Sequence, residues 1–171
     1  MTDSVLRRAR ITVLEALYES ETSDHDAETV YNRRIRDIAD EDPELAAPGP
    51  SGFGRGMLRG IIKIQAAVDQ YIAEAATQFP VDQLAAVDRN ILRLAIWELV
   101  TDTSAPAGAV VNEAVELARR YGGESSPGFI NGVLRTVSNR IREATQRAPP
   151  PGREELSKLS DQENTISGHC I

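Results

Sequence analysis

Catalysis needs a nucleophile beside a base, or a cluster of metal ligands, held on ordered elements. The 171-residue chain has two histidines, His25 in an acidic stretch and His169 near the C-terminus, and one cysteine, Cys170. Neither histidine has a partner at the spacing of a His-Glu-x-x-His site, and a lone cysteine supports neither an internal disulfide nor a cysteine-rich zinc cage. The run Pro48-Gly49-Pro50-Ser51-Gly52-Phe53-Gly54-Arg55-Gly56 has the glycine content of a phosphate-cradling loop but not its Gly-Lys-Ser/Thr ending, so it reads as a linker. No metal or cofactor is expected. What remains is arginine, because lysine occurs only at Lys63 and Lys158. The planar guanidinium matches phosphate and stacks on bases, although the codon bias of a high-GC genome explains the preference equally well.

A net charge of -7 argues against nucleic acid, whose phosphates attract clustered cations. The acidity is regional, however: residues 21–46 hold nine acids against three arginines, leaving the rest of the chain close to neutral. The first residues have no continuous apolar segment, and no stretch approaches the ~20 apolar residues that span a bilayer. We expect a cytoplasmic protein in a reducing compartment, with no membrane partner.

The elements that must position these arginines are helices. Apolar residues recur at helical spacing almost throughout, no strand-like alternation is found, and the expected fold class is all-α. A first helix over about 4–20 has Leu6, Ala9, Val13, Ala16 and Leu17 on one stripe, with Arg7, Ile11 and Tyr18 on another side. Asp24 is a plausible cap for an acidic helix over about 26–41 with Val30, Tyr31, Ile35 and Ile38 inward. After the linker, Met57, Ile61, Ile64, Val68 and Ile72 continue a long helical stretch with an interruption near Asp69. A short turn follows Asp82, and 87–100 is apolar on most of its circumference, as in a central buried helix. Pro106 suits the first turn of a helix carrying Val111, Ala114, Val115 and Ala118 that ends at Gly122-Gly123. Ser126-Pro127 starts a final helix with Ile130, Val133, Leu134, Val137 and Ile141 inward. One domain over 1–145 and a flexible polar tail over 146–171 are expected.

Three blocks then coincide in order and spacing: Arg7-Arg8-Ala9-Arg10 leading to Ala16-Leu17-Tyr18; Val87-Asp88-Arg89 with Ile91-Leu92-Arg93-Leu94-Ala95-Ile96-Trp97-Glu98-Leu99; and Asn112-Glu113-Ala114-Val115-Glu116-Leu117-Ala118 with Phe129-Ile130-Asn131-Gly132-Val133-Leu134. In these the chain resembles the NusB family, over about residues 5–142. The resemblance implies two small helical bundles packed together, about seven helices in all, and a transcription antitermination factor rather than an enzyme. It implies binding of boxA RNA together with NusE, a small-subunit ribosomal protein, within an RNA polymerase antitermination complex that promotes read-through and ribosomal RNA synthesis. It assigns RNA contact to Arg7, Arg8, Arg10, Tyr18, Arg89, Arg93, Ser125, Ser126, Phe129 and Asn131, and NusE contact to Asp88 beside Tyr18.

The physics of these residues fits that assignment: guanidinium groups hold single-stranded RNA by its phosphates and aromatic rings stack on its bases, at ~1 to 3 kcal/mol per stacked base. Arg7 and Tyr18 project from nearly the same angle of the first helix. Other roles stay open. Tyr18 is equally suited to the core with its hydroxyl at the surface, Arg93 to pairing with Glu98 or Glu113, Asp88 to capping the central helix, and Asn112, Glu113 and Asn131 to structural contacts. Many members of the family carry a longer basic run before the first helix, whereas here Met1-Thr2-Asp3-Ser4-Val5-Leu6 precedes only three arginines, with Asp3 partly offsetting them, so weak intrinsic RNA affinity and dependence on the partner are expected. Ser125, where related chains often carry an acid, partly compensates. Two alternatives remain: the NusB-like domain of a ribosomal RNA cytosine methyltransferase without its catalytic domain, and a helical scaffold that binds only protein. Whether the chain is a monomer or a homodimer is open.

Overall fold

The computed structural model describes residues 3–101 and 105–147. Eight α-helices and one 3-10 turn are found among them, and no strand: α1 (Asp3–Thr22), α2 (Ala27–Asp37), α3 (Pro43–Ala46), α4 (Pro48–Lys63), α5 (Gln65–Ala75), the turn Val81–Gln83, α6 (Ala86–Thr101), α7 (Ala107–Tyr121) and α8 (Ser126–Arg147). The chain divides into one compact unit over Met1–Asn139 and a second over Arg140–Ile171. Of the tail expected over 146–171, residues 146 and 147 end α8, and the rest, with His169 and Cys170, lies outside the described residues.

Within the first unit, α1 packs against α2, α3 and α4, and α6 packs against α5 and α7, with α1 and α4 also touching α6. The apolar stripe of α1 explains its central place: Ala9, Val13, Ala16 and Leu17 are buried, joined by Val5 and Leu14, and each large one contributes roughly 1.5–3 kcal/mol by leaving water. On α6 the residues Asn90 to Ile96 are all buried, as its apolar circumference predicts.

Four local expectations are corrected. The cap of α2 is Asp26, not Asp24: its carboxylate accepts from the Thr29 N–H at 2.8 Å. The break in the long helical stretch falls at Ile64 rather than Asp69. Helix α3 was not foreseen; Asp42 caps it by accepting from the Leu45 N–H at 3.1 Å. The glycine-rich run is not a linker but the first half of α4. Pro48 and Pro50 sit in the first turn, where their missing N–H groups cost nothing. Two of the glycines in α4 are there for close packing. A Cβ on Gly54 would stand 2.2 Å from the Tyr31 hydroxyl, and one on Gly60 would stand 2.5 Å from the Trp97 indole nitrogen. Tyr31 is fully buried and donates its hydroxyl to the Ser51 carbonyl at 3.0 Å, so the glycine face of α4 is the slot into which the aromatic residues of α2 and α6 fit.

Candidate nucleic-acid interface

The line of α1 that carries Arg7 and Tyr18 remains at the surface. Eleven residues at ~100° each return nearly to the same angle, and at ~1.5 Å each they separate the two side chains by about 16 Å. Arg7 has 55% of its side chain exposed, and Tyr18 is 46% exposed, so the alternative of Tyr18 as a core residue does not hold. Both ends of the line meet α7. Arg7 donates its Nε–H to Glu113 Oε2 at 2.9 Å and an Nη2–H to Oε1 of the same carboxylate. That hydrogen bond holds the Glu113 carboxyl below its ordinary pKa. Tyr18 lines a recess of about 310 Å3 with Leu14, Val87, Arg34 and Tyr121, and the Arg120 guanidinium lies 5.2 Å from the centre of the Tyr121 ring.

The other arginines of α1 are more heavily engaged. Arg8 places Nε 2.7 Å from Asp42 and Nη2 2.7 Å from Glu44, both at the α3 end of the acidic region; the Glu44 hydrogen bond raises the pKa of Arg8 further. Arg10 is turned inward: only 16% of its side chain is exposed, it binds both oxygens of buried Glu98 at 2.8 and 2.7 Å, and it lies 5.5 Å from the Phe53 ring centre. It joins α1, α4 and α6.

Arg93 and Arg89, also assigned to RNA contact by the resemblance, are paired with acids within the protein. Arg93 binds both oxygens of Asp69 at 2.7 and 2.9 Å, Glu21 at 3.1 Å and Asn90 Oδ1 at 3.3 Å; neither Glu98 nor Glu113 is its partner in these bonds. Arg89 binds Glu21 at 2.8 Å and donates Nη1–H bonds to the carbonyls of Val81, Asp82 and Leu84, tying the 3-10 turn to α6. A buried guanidinium needs this degree of satisfaction, because an unpaired one costs several kcal/mol.

At the start of α8, Ser126 is buried, and its hydroxyl donates to Asp88 Oδ2 at 3.0 Å while accepting from the Gly123 N–H at 2.9 Å. These bonds hold the start of α8 against the first turn of α6. Asp88 is partly buried in this role, and its Oδ1 accepts no hydrogen bond from the protein. Ser125 is exposed and Phe129 is half-buried, facing a recess shared with Phe79 and Gly132. Asn131 accepts a long 3.4 Å bond from Arg135.

Along α1 the structure leaves Arg7 and Tyr18 exposed, ties Asp88 to Ser126 at the α6–α8 junction next to exposed Ser125, and engages Arg10, Arg89, Arg93 and Ser126 in ion pairs or hydrogen bonds within the protein. It adds Tyr121, which the sequence signalled only as an aromatic residue closing α7 after two arginines. No group of His, Cys, Asp or Glu able to hold a metal occurs among the described residues.

The NusB family model matches residues 7–139. The chain belongs to the NusB family. It is 39% identical over 141 residues to the transcription antitermination protein NusB of Dehalococcoides mccartyi, covering 82% of this chain and 94% of that one. To the protein of the same name from Roseiflexus castenholzii it is 38% identical over 145 residues, covering 84% and 98%. Among solved structures it resembles T. maritima NusB with a TM-score of 0.69 and 32% identity, covering 78% of this chain and 90% of that one. A NusB solved with NusE and dsRNA has the same fold at 22% identity, with a TM-score of 0.69 and coverage of 81% and 99%. The NusB match begins at Arg7, the first residue of the exposed α1 line. No helix among the described residues of this NusB-family chain is long and apolar enough to cross a membrane.

Proposed function

We propose that this chain is a non-enzymatic transcription antitermination factor of the cytoplasm, binding boxA-type single-stranded RNA with NusE as its protein partner. The observation that carries this reading is the α1 line: an exposed guanidinium and an exposed phenol on one side of one helix, each against α7, with a second tyrosine beside the far end. Arg7 supplies a phosphate fork, Tyr18 and Tyr121 supply ring faces for bases, and Ser125 offers a hydroxyl at the start of α8. Asp88 and Ser126 hold the junction in shape. Arg8 is available to phosphate only in competition with Asp42 and Glu44, so low affinity is expected without a partner.

The test is fluorescence anisotropy with boxA and scrambled RNA, with and without NusE, at several salt concentrations. Antitermination chemistry requires partner-enhanced, sequence-dependent binding that weakens with salt and weakens further in Arg7→Ala and Tyr18→Ala. The carboxylate partners of Arg8 and Arg10 favour a second reading, a scaffold that binds protein alone; equal affinity for both RNAs in the presence of NusE would establish it.

A further inference from the structure

Helices α7 and α8 enclose a groove of about 640 Å3 on the flank of α7 that faces away from Glu113 and Tyr121. Arg119 and Asn112 stand on one wall, Asn131, Arg135, Ser138 and Asn139 on the other, over a floor that includes Val111 and Val115. None of the residues lining it is acidic, although acids outnumber Lys and Arg by 26 to 19 in the chain. One end is made by Pro127 and Gly128, the residues that directly follow Ser125 and Ser126.

We propose that this groove carries a second stretch of the same RNA, the nucleotides flanking the segment held along α1, entering over the first turn of α8. The inference rests on the RNA-binding reading above and extends it to residues outside the α1 line. Three features favour RNA as the occupant. Guanidinium groups on facing walls can bind phosphates from both sides, and Arg119 has 61% of its side chain exposed despite its ion pair with Glu116 one turn away. Carboxamides present a donor and an acceptor together, the pairing that reads base edges. No acidic residue lines the groove, and the Glu116 carboxylate is paired with Arg119. Gly108 to Arg119 spans about 16 Å, enough for roughly five nucleotides at the ~3.4 Å spacing of a stacked strand.

The experiment compares a minimal boxA RNA with the same RNA extended by five nucleotides at its 5′ or its 3′ end, using the full chain with NusE. One extension should tighten binding several-fold and steepen the salt dependence, by a slope of roughly 0.7 per added phosphate contact. In Arg119→Glu/Arg135→Glu that gain should vanish while the minimal RNA binds as before. Both side chains are exposed, and an unchanged melting temperature confirms the fold. Binding of the minimal RNA with no gain from either extension, or a gain indifferent to the double variant, would overturn the groove while leaving the α1 site standing. Loss of NusE binding in the double variant would make the groove a protein-docking surface and overturn the proposal equally. Failure of even the minimal RNA to bind would instead remove the reading on which it rests.

Discussion

Replacing Glu113 with Gln should tighten RNA binding. A phosphate on the outer edge of the Arg7 guanidinium would lie about 6 Å from the Glu113 carboxylate, and two like charges at that distance repel by ~0.7 kcal/mol in water and ~2.8 kcal/mol at an effective dielectric of 20. More than half of the Arg7 side chain is exposed, which places the pair toward the watery limit, at about 1 kcal/mol. That is roughly a fivefold gain at low salt, falling to about twofold at 0.15 M, where the screening length is ~8 Å. The lost surface ion pair costs stability of only ~0–1 kcal/mol, so the fold survives. The assay is RNA anisotropy on wild type, Glu113→Gln, Arg7→Ala and the double variant, at two salt concentrations. The gain should appear only where Arg7 is present. Unchanged or weaker binding of Glu113→Gln at low salt would refute the reasoning and show that Glu113 props Arg7 toward the RNA instead of competing with it.

Three further predictions concern the scaffold. Gly54→Ala, whose Cβ would meet the Tyr31 ring, should lose about 1–2 kcal/mol in urea unfolding, overpacking outweighing the helix-propensity gain of ~1 kcal/mol; Gly56→Ala, with open space around it, should instead gain up to ~1 kcal/mol. Equal effects would mean that α4 does not pack as described. Asp69→Ala strips Arg93 of its bidentate partner and should cost ~3 kcal/mol, read from the denaturation midpoint; a loss under about 0.5 kcal/mol would show that Glu21 alone suffices. In a pH series, the Arg33 hydrogen bond holds the Glu19 pKa near 2 against an ordinary 4.5. Its folded pKa is depressed, so the stability it contributes is complete above pH 4.5 and is lost as the pH falls toward 2. Burial lifts Tyr31 from 10.0 to about 12, so the folded state keeps this phenol neutral while the unfolded chain ionises, and stability should also fall between pH 10 and 12. Flat melting temperatures across both windows would contradict these placements.

The helical fold was legible because burial repeats at helical spacing, and Ala9, Val13, Ile91, Leu134 and Val137 are all buried where that spacing puts them. Helix α4 was hidden because glycine and proline are read as turn formers, whereas here the prolines occupy a first turn and Gly54 and Gly60 admit Tyr31 and Trp97 from other helices. That reason is tertiary, and a window of sequence does not contain it. The same holds for the arginines. Residue type and helical angle marked Arg7 and Tyr18 as neighbours on a face, but the carboxylates that claim Arg10 and Arg93, Glu98 and Asp69, lie 88 and 24 positions away. Tyr121 entered the candidate site only because it lines the same recess as Tyr18, a placement that no local pattern announces.

Zero-length photocrosslinking of boxA RNA to the chain in the presence of NusE, with the adducts located by mass spectrometry, puts the proposed grip to the test. Adducts should fall on peptides containing Tyr18, Tyr121 and the first turn of α8, and should diminish in Arg7→Ala. Crosslinks confined to α2, α3 or the outer face of α4, with those aromatic residues unmodified, would show that the transcript lies elsewhere and that α1 is not the surface that holds it.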